Sequence, residues 1–286
     1  MASNKKITAA LLRLGTNNWL EEDNFEASRC PFDLYSPRLR CDRALFDEYT
    51  EHLAACGVNT LIIDLGDGLR YESHPEIAVE SAWTVEEMKD ELSRLRALGF
   101  EVIPMLNFSG AHDIWLGDYA HMIATVPYYR VCTDLINEVC DIFEPRFVHI
   151  GMNSETFETQ KDFFYTAVRH KELWWHDVYF LVDKIIGKGA RAIIYADRLS
   201  EVGEEAFFNG LPQSVVVSEA YDGSEEAIAR ICSIDQNGYD QLPICISLPD
   251  ESISDEHFLG CVAVNDVILD ESRREDIFKA ADEIRA

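Results

Sequence analysis

The chain has 286 residues, and its 52 acidic and 25 basic side chains give a formal net charge of −27 at pH 7. A surface this negative repels polyanions, which argues against nucleic acid as a partner and against a strongly anionic substrate. The hydrophobic residues, 47% of the chain, can bury a full core, yet no apolar run reaches the length of a membrane span. We therefore expect no membrane partner.

In chain order, β-forming segments that end in polar residues alternate with stretches of helical periodicity. The pattern predicts strands at residues 7–14, 60–65, 101–106, 146–150, 190–195, 214–218, 242–247 and 261–264. It predicts helices at about residues 42–56, 84–98, 128–143, 172–186, 224–233 and 271–284, with a shorter helix near Glu204. Two of these helices have clear signals at their ends. Gly57 and Gly99 follow them as helix stop signals, and Thr84 begins a capping box at the start of the second.

Eight strands with helical connections in a chain of this length match an α/β fold, a closed (β/α)8 TIM barrel. A doubly wound open sheet is the alternative. It would show a glycine-rich dinucleotide turn after the first strand, where residues 14–18 instead read Leu-Gly-Thr-Asn-Asn. We therefore predict a single barrel domain over residues 1–286.

The eight cysteines are scattered, with no Cys-x-x-Cys pair, which favours buried thiols in a reducing compartment. The N-terminal residues also lack a signal-peptide core, so we expect a cytoplasmic protein. Cys30 and Cys41 share one predicted loop and would be able to pair if the protein were exported.

Polar and aromatic side chains follow the predicted strands, and in a barrel the carboxyl ends of all strands meet at one rim. The residues expected there are Asn17, Asn18, Trp19, Asp64, Asp67, Asn107, Trp115, Asn153, Glu155, Tyr195, Asp197, Glu219, Tyr221, Asn265 and Asp266. Carboxylates and amides among aromatic rings suit a sugar, whose hydroxyls need donors and acceptors and whose C–H faces stack on rings. We therefore predict a small carbohydrate as the partner.

Glycoside cleavage requires two acidic groups, one of which donates a proton and has a raised pKa. Glu155 is the candidate acid, because it follows a buried strand into a pocket where desolvation would raise its pKa. Glu219 or Asp197 is the candidate partner. Both aspartates also have a structural interpretation. Asp197 would cap a helix, and Asp64 would be an inward-facing carboxylate that pairs with Arg70 or accepts a hydrogen bond from a backbone amide.

The candidate ligands for a metal ion are His112, Asp64, Glu155 and Asp197, but no characteristic ligand spacing supports a metal site. We therefore predict no metal and no other cofactor.

Four segments resemble, in order and spacing, the first half of the barrel of the family 20 β-N-acetylhexosaminidases: residues 57–70, 81–84, 101–112 and 147–155. That family shows a Gly-Trp-Arg turn, a Val-Ile-Pro strand leading to Pro-Gly-His, and His-Ile-Gly-Gly-Asp-Glu. The resemblance implies a metal-free sugar hydrolase, in which Arg70 and His112 match motif positions and would contact the sugar.

The family's Asp-Glu pair orients the substrate's acetamido group and supplies the general acid. Here the pair aligns with Asn153 and Ser154, and the nearest carboxylate, Glu155, comes one residue later. A shift of one residue at a strand end redirects a side chain, which argues against substrate-assisted cleavage by this route.

Three functions follow from these observations. The first is a glycoside hydrolase, and the second is a catalytically silent barrel that binds a glycan. The third is a sugar isomerase or aldolase-like barrel, which would need a metal or a Schiff-base lysine, and Lys161 and Lys171 fall outside the strand ends. The pattern carries no prediction of oligomeric state.

Overall fold

The computed structural model describes residues 6–15, 35–153, 155–156, 160–161, 165–245 and 256–285. Within them one sheet contains nine strands: β1 Ile7–Arg13, β2 Thr60–Asp64, β3 Glu101–Met105, β4 Phe147–His149, β5 Arg191–Tyr195, β6 Val216–Ser218, β7 Ala220–Tyr221, β8 Ile244–Cys245 and β9 Gly260–Ile268. All neighbouring strands that pair do so in parallel, in the order β6-β5-β4-β3-β2-β1-β9-β8-β7.

The two ends of this sheet are consecutive in sequence, because only Glu219 separates β6 from β7. Leu242 N donates a hydrogen bond to Val217 O at 2.9 Å, and Ile244 N donates one to Glu219 O at 2.8 Å. These bonds join the strand that carries β6 and β7 to β8. The sheet thereby curls into a nearly closed parallel barrel, and the predicted (β/α)8 fold is confirmed.

The helices surround the sheet at α1 Arg43–Ala55, α2 Val85–Ala97, α3 Val126–Phe143, α4 Glu172–Gly187, α5 Asp197–Val202, α6 Glu204–Gly210, α7 Glu225–Gln236 and α8 Arg274–Asp282. The capping box predicted at Thr84 is present, since its side chain accepts from Glu87 N and the Glu87 carboxylate accepts from Thr84 N. Among the helices of these described segments, none is long and apolar enough to cross a membrane.

Three predicted elements differ from the structure. The single helix expected near Glu204 is two short helices, α5 and α6, because Gly203 between them has a φ of 82° and interrupts the helical path. The last strand, predicted at residues 261–264, continues to Ile268 through two register shifts against β1. The helix predicted at residues 271–284 begins with a 3-10 turn, Glu271–Arg273, before α8.

Side chains alternate between the two faces of each strand. On β1, Ile7, Ala9 and Leu11 belong to the apolar cluster that fills the barrel interior. The intervening Ala10 and Leu12 belong to the larger cluster between the strands and the helices.

The interior-facing series of five strands ends on a polar or hydroxyl-bearing side chain at the carboxyl end. Arg13, Asp64, His149, Tyr195 and Ser218 each lie two residues beyond an apolar member of the interior cluster. The barrel therefore has an apolar interior and a polar rim, and this rim positions the candidate site.

Candidate functional site

A cavity of about 470 Å³ opens at the carboxyl ends of the strands. Of the side chains predicted from the sequence, it brings together Asp64, Asn107, His112, Trp115, Asn153, Tyr195, Asp197, Glu219, Asn265 and Asp266. These come from six different strands or the loops that follow them, as expected for convergent strand ends.

One side of the cavity is formed by β1, β2 and β9. Arg13 and Asp64 are register partners on adjacent strands, and Arg13 forms an ion pair with Asp266. Burial raises the pKa of Asp64 to about 7, although the Arg13 charge opposes that rise. Burial, with the repulsion of Arg13, lowers the pKa of His112 to about 4. At neutral pH His112 is therefore an uncharged hydrogen-bonding group.

The opposite side is formed by the ends of β5 and β6. Burial raises the pKa of the Asp197 carboxyl, and the nearby Glu201 charge adds to the rise. Burial also raises the pKa of Glu219, against the opposing charge of Arg230, whose Nε lies 3.1 Å from Glu219 Oε1. Asp197 in turn raises the pKa of Glu219, so these carboxyls interact across the cavity wall.

Ser218 lies beside these two acids and is 3% exposed. Its Oγ has no hydrogen-bond partner among the residues that the structure describes. A buried hydroxyl without a partner is costly. A ligand hydroxyl or amide in the cavity would supply that missing partner.

Two asparagines and a tryptophan form a connected part of the wall. Asn107 Nδ2 donates to Asn153 Oδ1 at 3.0 Å, and Asn107 Oδ1 accepts from Ser109 N at 3.1 Å. Trp115 Nε1 donates to Asn107 O at 2.9 Å. Because these bonds fix their orientations, the amides and the indole ring are preorganised for a ligand.

Gly151 is required beside this network. Its φ is 68°, and a Cβ added there would lie 1.9 Å from Asn107 Oδ1. Gly57 has a φ of 94° but open space around it, which makes it a matched control. We expect Gly57→Ala to cost about 1 kcal/mol of backbone strain, and Gly151→Ala to cost about 2 kcal/mol more from the clash. Urea unfolding of both variants measures the difference, and equal losses would contradict the clash.

Four predicted site residues are not in this cavity. Asp67 is buried in the turn after β2, and its backbone O accepts from Val79 N at 3.1 Å. Arg70 is exposed in a separate two-stranded sheet, because the turn before it carries it away from the rim. Tyr221 is buried with Ile231 in an apolar cluster behind the rim. All three lie outside the cavity, and their roles as sugar contacts stay predictions.

Glu155 is the fourth, and it is the residue predicted as the acid. Its side chain is fully buried, paired with the guanidinium of Arg169. Its oxygens also accept from Gly110 N at 2.5 Å and from Arg169 N at 2.9 Å. Glu155 neither lines the cavity nor points into water, because Arg169 and the backbone hold it beneath the loop that begins at Gly110.

Asn17, Asn18 and Trp19 lie outside the described residues, as do Ser154 and Cys30, so the structure does not test the pairing of Cys30 with Cys41 that was considered for an exported protein. No disulfide joins the seven cysteines of the described segments. His149 is 1% exposed, and its Nδ1 accepts from Gly151 N at 3.0 Å.

The sequence reasoning missed Arg13, Ser200, Ser218 and Arg230, all of which line the cavity. Arg13 and Ser218 carried a signal, since each is in phase with the inward-facing apolar residues of its own strand. Arg230 lies inside α7 and Ser200 inside α5, so no strand-end pattern points to either.

The fold is similar to those of several solved β-N-acetylhexosaminidases. The chain matches one from Bacteroides fragilis at a TM-score of 0.67 and 13% identity, over 98% of this chain and 65% of that one. An exo-β-N-acetylglucosaminidase from Vibrio harveyi in complex with N-acetylglucosamine matches at 0.67 and 15%, over 98% and 54%. A chitobiase from Flavobacterium johnsoniae matches at 0.68 and 15%, over 98% and 48%.

The chain thus spans between about half and two thirds of the length of these proteins. No protein-family model matches the sequence, and no curated protein matches it. The resemblance noted in the sequence is confirmed at the level of the fold.

Proposed function

We propose that the chain binds a small glycan or glycoside in the cavity at the barrel rim and hydrolyses its glycosidic bond. The observation that carries this proposal is the pair of cavity carboxyls, Asp197 and Glu219, whose pKa values burial raises. Glycoside hydrolysis needs a carboxylic acid that keeps its proton near neutral pH and a second carboxylate beside it. The fold shared with the hexosaminidases supports the same chemistry by analogy.

The cavity lining fits an uncharged or cationic sugar better than an anionic one. Four acidic side chains line it, and both of its arginines are engaged with carboxylates, Arg13 with Asp266 and Arg230 with Glu219. Asn107, Asn153 and the neutral His112 supply donors and acceptors for hydroxyls, while Trp115 and Tyr195 supply ring surfaces. A uronic acid or a sulfated sugar would add negative charge to an acidic cavity.

Asp197 is the proton donor of this proposal and Glu219 its partner. Burial raises both pKa values, and at Asp197 a backbone hydrogen bond lowers the pKa while the Glu201 charge raises it. At Glu219 the positive charge of Arg230 opposes the rise and favours the ionised form. The two environments therefore bias the pair toward one acid and one carboxylate. Asp197 would protonate the glycosidic oxygen as the bond to the anomeric carbon breaks. Glu219 would stabilise the developing positive charge or direct a water molecule at that carbon.

The second candidate is a catalytically silent carbohydrate-binding barrel. Asn153 lines the cavity where the family motif places an acid, and Arg169 holds Glu155 away from it. The end of β4 therefore contributes no described carboxylate to the cavity.

One screen separates the two functions. Purified protein is incubated with a panel of aryl glycosides. The panel includes N-acetyl-β-hexosaminides, because the structural neighbours are named as enzymes that act on such sugars. Melting temperatures are measured separately with the matching free sugars. Turnover of any glycoside supports the hydrolase. Melting shifts without turnover support the binding protein, and neither response on any sugar would refute both. A chelator should leave either response unchanged, because the proposed chemistry uses no metal.

Asp64 gives the site a pH-dependent effect on stability. Its folded pKa of about 7 lies above the ordinary value of 3.8, so the folded state binds the proton more tightly than the unfolded chain. This contribution is complete below about pH 4 and is lost as the pH rises through about 7. The free energy of unfolding should therefore fall between pH 5 and pH 8. We expect this fall to be smaller in Asp64→Asn, by on the order of 2 kcal/mol. Urea unfolding at both pH values measures it, and an unchanged loss would contradict a proton on Asp64.

A further inference from the structure

We propose that His52, Cys56 and Asp282 form a binding site for a single zinc ion, at the opposite end of the barrel from the cavity. His52 and Cys56 are four residues apart and therefore share one face of α1, while Asp282 ends α8. Helix α1 runs back from the rim, since it connects the parallel strands β1 and β2 and Cys56 lies just before β2. Helix α8 follows β9 away from the rim and packs beside α1. The site therefore joins helices α1 and α8.

The distances between the three ligand atoms fit one metal ion. Cys56 Sγ lies 3.6 Å from His52 Nε2 and 3.9 Å from Asp282 Oδ1, and His52 Nε2 lies 2.9 Å from Asp282 Oδ1. Tetrahedral zinc, with Zn–S of about 2.3 Å and Zn–N or Zn–O of about 2.1 Å, sets ligand separations of about 3.4–3.6 Å. The two sulfur distances are near this range, and the third requires a movement of about 0.5 Å.

The surroundings permit that movement and favour a cation. The Asp282 side chain is 61% exposed, so it can move and leave the fourth coordination position to water. The Phe278 ring packs against the His52 ring at 4.9 Å between centroids, which restrains the imidazole. Both helices present their carboxyl ends here, and the partial negative charge of a helix C-terminus attracts cations.

The donor set selects the metal. Sulfur, imidazole nitrogen and carboxylate oxygen together suit zinc or cobalt, whereas calcium and magnesium require oxygen ligands. On binding, the Cys56 thiol loses its proton to solvent and the sulfur forms the bond to the metal. One thiolate, one carboxylate and a neutral imidazole then balance the two positive charges of the ion, and affinity rises with pH because the thiol must deprotonate.

Cobalt tests the site, because a thiolate ligand gives Co²⁺ a near-ultraviolet charge-transfer band. Chelator-treated protein is titrated with Co²⁺ and then with Zn²⁺. We expect one equivalent of Co²⁺ to produce the band, with visible bands of tetrahedral intensity, and one equivalent of Zn²⁺ to remove them. Cys56→Ser should abolish the band and weaken Zn²⁺ binding by about 100-fold or more, beyond the 10- to 100-fold cost of losing an outer-shell partner.

Two further variants complete the test. Asp282→Asn changes an exposed position, so it should fold normally yet weaken Zn²⁺ binding and lose the melting increase of about 5 °C expected at saturating Zn²⁺. Cys232→Ser, a thiol on α7, should retain the band. Absence of the band in the unmodified protein, or its persistence in Cys56→Ser, would overturn the site. Because the site lies away from the cavity, neither result changes the outcome of the glycoside screen.

Discussion

Replacing Arg169 with methionine should destabilise the protein by about 3–5 kcal/mol, because the change leaves buried carboxylates without their cation. The Arg169 side chain is 1% exposed and forms ion pairs with two acids, Glu155 and Asp177, whose side chains are 0% and 1% exposed. Its guanidinium also donates to Phe108 O at 3.0 Å and to Tyr128 Oη at 2.7 Å. Methionine retains most of the apolar stem but supplies none of these donors.

This expectation depends on burial rather than on the number of ion pairs. Arg146→Met is the matched control, because Arg146 also forms a two-bond pair, with Glu101, but its side chain is 60% exposed. An exposed pair contributes about 0–1 kcal/mol, since water and salt screen it. Urea unfolding of the two variants gives both free energies. Equal and small losses would show that Glu155 and Asp177 reach solvent or protonate at little cost.

The Arg169 ion pairs also show why the surroundings of Glu155 could not be read from the sequence alone. A glutamate just after a buried strand reads as a rim residue, and its partner stands 14 positions later in a loop with no regular periodicity. Long-range contacts between irregular segments leave no local pattern in a sequence.

Most of the fold could be read from the chain because each signal was local. Strand alternation, the Thr84 capping box and the stop signals at Gly57 and Gly99 all act within a few residues. The same alternation reaches into the site, since extending the inward-facing phase of β1 from Leu11 gives Arg13. Arg230 was beyond this reasoning, because its place at the cavity depends on how α7 packs against the barrel.

Asp197→Asn should lower turnover of unactivated aryl glycosides by about 100-fold or more, the usual scale of general acid catalysis. Asparagine preserves the shape of the side chain but has no acidic proton to donate, whereas burial raises the pKa of the Asp197 carboxyl and so favours its protonated form. Glu219→Gln should cause a loss of similar size by removing the partner carboxylate. Asp222→Asn is the control, because Asp222 follows the same rim, keeps its role as acceptor for Ser224 N and does not line the cavity.

Leaving groups distinguish the two roles. A dinitrophenyl glycoside departs with little protonation, so Asp197→Asn should recover much of its rate on that substrate, whereas Glu219→Gln should remain slow. Glu155→Gln should lower the melting temperature while turnover below that temperature persists, because its carboxylate is bound to Arg169 outside the cavity. If a folded Glu155→Gln protein lost turnover while Asp197→Asn kept it, the general acid would instead be Glu155, which follows β4. The Arg169 ion pair would then have to open in each catalytic cycle, and a buried pair of this kind makes that step slow.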